Sequence, residues 1–361
     1  MQSTREQINS LTGLRGVAAA WVMLMHFREI TPTRVWKFPI LDTLIANGAY
    51  GVDVFFVLSG FIMCHVYASS FGSGLPSGQI RQFMLYRFAR LYPVHIVTFA
   101  LMLVLLTAKL MTSGANGIPE RYDPSTIVMT MLMMHAWIPG MQTPNMPAWS
   151  ISAEWFAYML FPALCFFLSH GRWTALLYVA IGLGLACLDT IDHYPLLQVL
   201  SGFLIGMAAY RIMSAGLWIK NNRFGGFCVV AAIAYWAQAP APRVEIGLLL
   251  FAVLILSLAD PRDWLSRFLS LGAIVYLGEI SYSLYMVHWP VRVIVRNAFR
   301  TLHLLDNLPS PLVVLTFVIV TLAAAMASYH LVELPGRTLL RRALTRFQGT
   351  ARVSTATAGS Q

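Results

Sequence analysis

The stretch that decides the fold is LTGLRGVAAAWVMLMHF, from Leu11 to Phe27. It is apolar enough to enter a bilayer, yet it carries Arg15 near one end and His26 near the other. Ionisable side chains in hydrocarbon are costly unless they face a bundle interior or water, so they mark candidate functional sites. Their spacing puts both on one face of a helix, about 16 Å apart along its axis. The alternative is that Arg15 snorkels to one interface while His26 caps the other.

Composition indicates the class of protein. Of 361 residues, 58% are hydrophobic and 11% are charged, against about 25% charged in soluble domains. Such a chain has too little polar surface to cover a soluble globule, so we predict an all-α polytopic membrane protein. Membrane topology explains the net charge of +10, and no nucleic-acid partner is expected. The four cysteines form no CxxC pair, so we predict neither a metal site nor a disulfide framework.

Ten apolar segments are long enough to cross a bilayer, and we predict that they form one bundle. Their ranges are 9–28, 48–70, 87–109, 150–169, 173–189, 195–213, 225–241, 244–259, 272–294 and 311–333. A shorter apolar stretch at 126–139 is predicted to be an interfacial or re-entrant part of an external loop. One membrane domain therefore covers 1–345, and the small polar residues of 346–361 predict a disordered cytoplasmic tail.

The distribution of charge favours an orientation with both termini in the cytoplasm. In that orientation fifteen of the 25 lysines and arginines lie inside and nine outside, with Arg15 left aside as intramembrane. Cytoplasmic loops of membrane proteins carry such an excess of positive charge.

Two carboxylates are predicted to lie at the same depth as His26. Asp53 is in the opening of the second span, GAYGVDVFFVLSGF, and Glu154 is one turn into the fourth, within PAWSISAEWFAYMLFP. A carboxylate beside His26 would hold the imidazole tautomer and raise its basicity, as a general base requires. Asp53 could instead cap its helix, and Glu154 could orient an acceptor hydroxyl or pair with an external arginine.

The third span opens with a basic pair. In RFARLYP, Arg87 and Arg90 are three positions apart and therefore adjacent on a helix surface. They are predicted to lie level with Arg15 at the cytoplasmic end, where three guanidiniums would bind phosphate bidentately. The alternative is ordinary anchoring of the helix by positive charge.

The ninth span, GEISYSLYMVHWPV, is rich in polar and aromatic side chains for a membrane helix. Tyr285 and His288 are three positions apart and share a face that could line a cavity, whereas Glu279 lies opposite His288. Glu333, at the end of the last span, is expected to pair with a nearby arginine. The candidate residues for lining a cavity or contacting an acceptor are Ser59, Ser152, Tyr282, Tyr285 and His288.

These segments together resemble the membrane acyltransferase-3 family, the bacterial O-acyltransferases that modify surface polysaccharides and related glycans. The likeness rests on Arg15-x10-His26 and on four further motifs in the family's order. These are GVDVFFVLSGF at 51–61, RFARLYP at 87–93, WSISAEWFAYMLFP at 149–162 and ISYSLYMVHWPV at 280–291. The resemblance implies ten spans in the bacterial cytoplasmic membrane. The resemblance is to the stand-alone form of the family, which lacks the SGNH hydrolase-like domain that many relatives carry.

The resemblance also implies an activity and a site. Such an enzyme takes an acyl group, usually acetyl, from cytoplasmic acyl-CoA and delivers it to a hydroxyl of a saccharide or glycolipid. Acyl-CoA is then a donor substrate, and no permanently bound cofactor is expected. The family attaches functional weight to the residues matching Arg15, His26, Arg87, Arg90 and Glu154.

This site implies a mechanism in which the three arginines bind the phosphates of acyl-CoA. His26, held by Asp53 or Glu154, is predicted to be the general base that deprotonates the acceptor hydroxyl. A covalent acyl intermediate on Ser59, Ser152 or His26 is the alternative to direct transfer.

Two other classes of protein compete with an enzyme. A transporter or flippase also places charges along a substrate path, and in a scaffold polar residues only join helices. Neither class explains why Arg15 and His26 share one face of the first span. Neither explains why two carboxylates, Asp53 and Glu154, are predicted at the same depth as His26.

Overall fold

A computed structural model describes residues 7–30, 38–113, 123–171, 173–192, 194–218, 224–238 and 243–343. Within these ranges all regular structure is helical, as predicted, and the predicted tail at 346–361 lies outside the described residues. The helices are α1 (Asn9–Arg28), α2 (Pro39–Ala46), α3 (Tyr50–Phe71), α4 (Ser77–Ser113), α5 (Pro124–Met131), α6 (Trp149–His170), α7 (Thr174–Asp192), α8 (Pro195–Ser214), α9 (Phe224–Gln238), α10 (Val244–Leu258), α11 (Trp264–Leu269), α12 (Gly272–Glu279), α13 (Ser281–Thr301), α14 (Leu304–Asn307) and α15 (Ser310–Ser328).

The long helices agree with a polytopic membrane protein. In the described part of the chain, five helical runs are long and apolar enough to cross a membrane: α3, α4, α6, α8 and the run Ser310–Ala343 that begins with α15. Three shorter apolar helices, α7, α9 and α10, occupy further predicted spans. Helix α1 has the bounds of the predicted span 9–28, but it is not one of the five described runs that are long and apolar enough to cross a membrane. The prediction of one continuous helix over 272–294 is wrong, because the helix is interrupted at Ile280, between α12 and α13.

The stretch 126–139 forms no crossing helix, in agreement with its length. Helix α5 ends at Met131, and only a single 3-10 turn, His135–Trp137, follows it. Met133 has a φ of 56° and separates the two elements. The His135 side chain is fully buried beside His95, with parallel rings whose centres are 6.3 Å apart. The 3-10 turn therefore packs into the bundle, while the predicted position of this segment in an external loop stays a prediction.

A close contact between α3 and α8 orients the helix that carries Ser59. A Cβ on Gly60 would lie 2.0 Å from the Phe203 carbonyl oxygen, and a Cβ on Gly206 would lie 2.0 Å from the Val57 carbonyl oxygen. Small residues at such positions let membrane helices approach closely. With one face of α3 against α8, Ser59 faces α6.

Gly206→Ala should destabilise the bundle, because the added methyl group would have to displace backbone rather than a mobile side chain. Overpacking typically costs about 1–3 kcal/mol, so we expect a lower midpoint of thermal unfolding in detergent. Gly184→Ala is the matched control, since a Cβ there meets nothing within 4 Å. An unchanged midpoint for Gly206→Ala would contradict the close approach of α3 and α8.

Candidate active site

The Arg15 side chain donates hydrogen bonds to residues on both sides of the interruption between α12 and α13. Its Nη2 donates to the Gly278 carbonyl oxygen at 2.7 Å, and its Nε donates to Ser281 Oγ at 2.9 Å. The helices can approach this closely because a Cβ on Gly278 would lie 1.9 Å from the Thr12 carbonyl oxygen. Arg15 therefore faces the bundle interior and does not snorkel to the interface.

One cavity, of about 120 Å³, brings the predicted arginines together. It is lined by residues of α1, α3, α4, α6 and α13. Its charged lining residues are Arg15, Arg87, Arg90 and Glu154, so three guanidiniums face one carboxylate. Helix α4 begins at Ser77 rather than at 87, which places the arginine pair about 15–20 Å along that helix instead of at its end.

Arg87 is surrounded by aromatic rings. Its guanidinium carbon lies 5.7 Å from the Tyr67 ring centre and 5.8 Å from the Tyr158 ring centre, an arrangement that stabilises a cation. The Nη2 of Arg87 donates weakly to Tyr67 Oη at 3.4 Å, while its Nε–H is buried without an acceptor. Arg90 lines the cavity and makes no hydrogen bond with its guanidinium to any described residue. Both arginines thus retain donors for an anion.

Glu154 lies in this cavity, and the predicted contact with His26 is wrong. Its Oε1 accepts hydrogen bonds from Ser59 Oγ and from Tyr158 Oη, the latter at 2.5 Å. Tyr158 is one turn further along α6, so both side chains lie on the face that packs against α3. Glu154 is therefore placed among hydroxyls and arginines, and its catalytic role stays a prediction.

Asp53 is also directed away from His26, so that predicted contact is wrong as well. Its side chain is 2% exposed and accepts a hydrogen bond from Gln198 Nε2 of α8 at 2.9 Å. The cause is the packing of α3 on α8, which turns Asp53 towards α8 while His26 faces α13. Gln198 was missed by sequence reasoning, although it is a polar residue in the apolar segment of α8.

His26 contacts His288 instead of a carboxylate. Its Nδ1 lies 3.2 Å from His288 Nε2 and 3.1 Å from the Val22 carbonyl oxygen. The Trp289 ring meets the His26 ring edge-on, with centres 5.4 Å apart. His288 is fully buried, whereas His26 is partly exposed.

Tyr285 lies between the cavity and the histidines. Its ring lines the cavity, and its centre is 5.8 Å from that of His288, which confirms that the two residues share a face. Tyr285 Oη accepts from Ser150 Oγ at 2.8 Å and donates to the Pro147 carbonyl oxygen at 3.0 Å. The ring is thus held in place from the start of α6.

The remaining candidates divide into cavity-lining and structural residues. Ser59 and Tyr282 line the cavity, and Tyr282 Oη donates to the Leu91 carbonyl oxygen at 2.5 Å. Ser152 does not line it, because its Oγ accepts from the Ala136 N–H at 3.0 Å and supports the 3-10 turn. Glu333 pairs with Arg337 at 3.6 Å, as expected, and also accepts from Ser283.

A membrane-length helical bundle around a cavity of arginines, hydroxyls and a carboxylate fits a membrane acyltransferase. The acyltransferase 3 family, described as an acyltransferase domain, matches residues 8–330, and the chain belongs to that family.

Three relatives illustrate the range of the family. The acyltransferase MdmB of Streptomyces mycarofaciens is 25% identical over 319 residues, covering 79% of each chain. The peptidoglycan O-acetyltransferase OatA of Listeria monocytogenes is 25% identical over 328 residues, and the putative peptidoglycan O-acetyltransferase YrhL of Bacillus subtilis is 25% identical over 381 residues. These two alignments cover 80% and 94% of this chain, but 50% and 56% of the relatives. No solved structure matches the chain.

Asp53→Asn should retain acyl transfer close to the wild-type rate, because the asparagine oxygen can still accept the hydrogen bond from Gln198. Initial rates of the purified variant measure the effect, and Gln198→Glu, which places a second carboxylate against Asp53, should destabilise the protein. A large loss of rate in Asp53→Asn with unchanged thermal stability would instead favour the catalytic role predicted from the sequence.

Proposed function

We propose that this protein transfers an acyl group, usually acetyl, from acyl-CoA to a hydroxyl of a saccharide or glycolipid at the membrane. The observation that carries the proposal is the convergence of Arg15, Arg87 and Arg90 on one cavity whose lining contains a single carboxylate. The names of the relatives support an O-linked acetyl product on a glycan. The proposed setting is the bacterial cytoplasmic membrane, with both termini in the cytoplasm.

The cavity is suited to the phosphates of a coenzyme A thioester. A guanidinium binds a phosphate through two parallel N–H···O bonds, which gives both charge and geometry. Arg90 has no hydrogen bond to a described residue, so its guanidinium can be satisfied by a ligand, and Arg87 makes only a long contact from Nη2 to Tyr67 Oη at 3.4 Å. Arg15 uses Nη2 and Nε within the protein, which leaves Nη1 for the donor.

His26 is the proposed general base. A carbonyl oxygen can only accept, so the contact with Val22 favours a proton on His26 Nδ1 and a lone pair on Nε2. The Nε2 atom can then take the proton of the acceptor hydroxyl as that oxygen attacks the thioester carbonyl. Such help typically accelerates a reaction about 10²–10⁴-fold. Helix α1 places His26 about 16 Å beyond Arg15, a span that an extended pantetheine arm can cover beside Tyr285.

Arg87→Ala and Arg90→Ala should each raise KM for acyl-CoA roughly ten- to hundredfold, since a lost charge-assisted hydrogen bond costs about 1.5–3 kcal/mol. Release of free coenzyme A thiol by the protein in detergent measures the rate. Arg81→Ala is the matched control, because Arg81 is an exposed arginine of α4 outside the cavity. Unchanged donor affinity in the double variant would contradict a phosphate site here.

His26→Ala and His26→Gln should both abolish acyl transfer, because neither side chain can take a proton at the position of Nε2. Binding of coenzyme A should persist in both variants, as should thermal stability. His170→Gln, at the exposed end of α6, is the control. Turnover close to wild type in His26→Gln would exclude the proposed base. A wild-type protein that consumed no acyl-CoA with any glycan acceptor would favour a transporter or flippase.

A further inference from the structure

We propose that His288 is a positioning residue for His26: its Nε2 accepts a hydrogen bond from His26 Nδ1 and fixes the ring so that His26 Nε2 is directed to the acceptor hydroxyl. This inference rests on the proposed role of His26 as the base. It replaces the orienting carboxylate expected from the sequence, since Asp53 and Glu154 are bonded elsewhere.

The Val22 carbonyl oxygen decides which ring nitrogen of His26 carries the proton. It lies 3.1 Å from His26 Nδ1, and His288 Nε2 lies 3.2 Å from the same atom. With a proton on His26 Nδ1, both contacts are attractive, because one N–H is shared between two acceptors. With the proton on His288 Nε2 instead, the lone pair of His26 Nδ1 would face the carbonyl oxygen and repel it. His288 Nδ1 is buried on the other side of its ring and makes no contact with His26.

The two histidines have different roles because they differ in access. His288 is fully buried in the middle of α13, and its Nε2 is used by His26. His26 is partly exposed, and within the described ranges its Nε2 makes no hydrogen bond. Only His26 can therefore reach an acceptor, and His288 acts through it.

The contact strengthens as the proposed reaction proceeds. The acceptor oxygen forms a bond to the thioester carbon, the carbon–sulfur bond breaks, and the hydroxyl proton passes to His26 Nε2 and then to the departing thiolate. While His26 is an imidazolium, its Nδ1–H donates to His288 as a charge-assisted hydrogen bond, which is about twice as strong as a neutral one. Because His288 is neutral, it accepts this hydrogen bond without adding a negative charge to the membrane interior. Arg292, one turn beyond His288, is paired with Glu29 at 2.9 Å.

Two substitutions of His288 that differ by one methylene group test the inference. The side-chain oxygen of Gln can occupy the place of Nε2, whereas that of Asn falls near Nδ1 and cannot reach His26. We expect His288→Asn to lower kcat about 10- to 100-fold, the effect of a lost hydrogen bond to a charged group, with KM for acyl-CoA unchanged. His288→Gln should recover most of the wild-type kcat. A merely structural role would not separate these two polar variants, whose thermal midpoints are compared alongside.

A double variant completes the test. Because His288 acts through His26, adding His288→Asn to His26→Ala should not lower any residual turnover of His26→Ala further. Equal kcat values for His288→Asn and wild type, or for His288→Asn and His288→Gln, would overturn this inference while leaving an inactive His26→Gln to support the proposed function. Wild-type turnover in His26→Gln would overturn both.

Discussion

The hydrogen bonds between Arg15 and the Gly278 carbonyl oxygen determine how the rest of the site is arranged. Inside a bilayer no water satisfies polar groups, so a charge and a helix break both need partners within the protein. Here each satisfies the other, and the glycine contact lets the two backbones come close enough for it. From that point α1 and α13 run side by side, and they bring His26 and His288 together further along.

The class of fold could be predicted from sequence because hydrophobicity and segment length alone decide it. The break at Ile280 could not be predicted. It depends on a bond from a residue 263 positions earlier in the chain, and no local pattern reveals such a partner. Gly278 lies among apolar residues that are those of a continuous span, and its close approach to Thr12 is visible only in the structure.

The arginines and Glu154, which were selected from the sequence, line one cavity, whereas the contacts predicted for the two carboxylates are wrong. Helical spacing correctly placed Tyr285 beside His288, and the cost of a charge in hydrocarbon correctly favoured an interior position for Arg15. The contacts of Asp53 and Glu154 with His26 were inferred from equal depth, and depth does not give the direction around a helix axis. Asp53 and Ser59 are six positions apart on α3, so their directions differ by roughly 120°. One therefore reaches Gln198 of α8 while the other reaches Glu154 of α6.

The three cavity arginines are thus separated from the histidine that is proposed to take the proton. The arginines and Glu154 share one cavity, whereas the histidine pair lies beyond Tyr285 and next to Arg292, which is paired with Glu29. In the proposed reaction an imidazolium forms on His26, and nearby guanidiniums would oppose it strongly in a medium of low dielectric constant. Distance weakens that repulsion, but it also requires a substrate long enough to reach both places. A phosphate-bearing donor with an extended arm meets this requirement, because its charge can stay at the arginines while its thioester reaches the histidines.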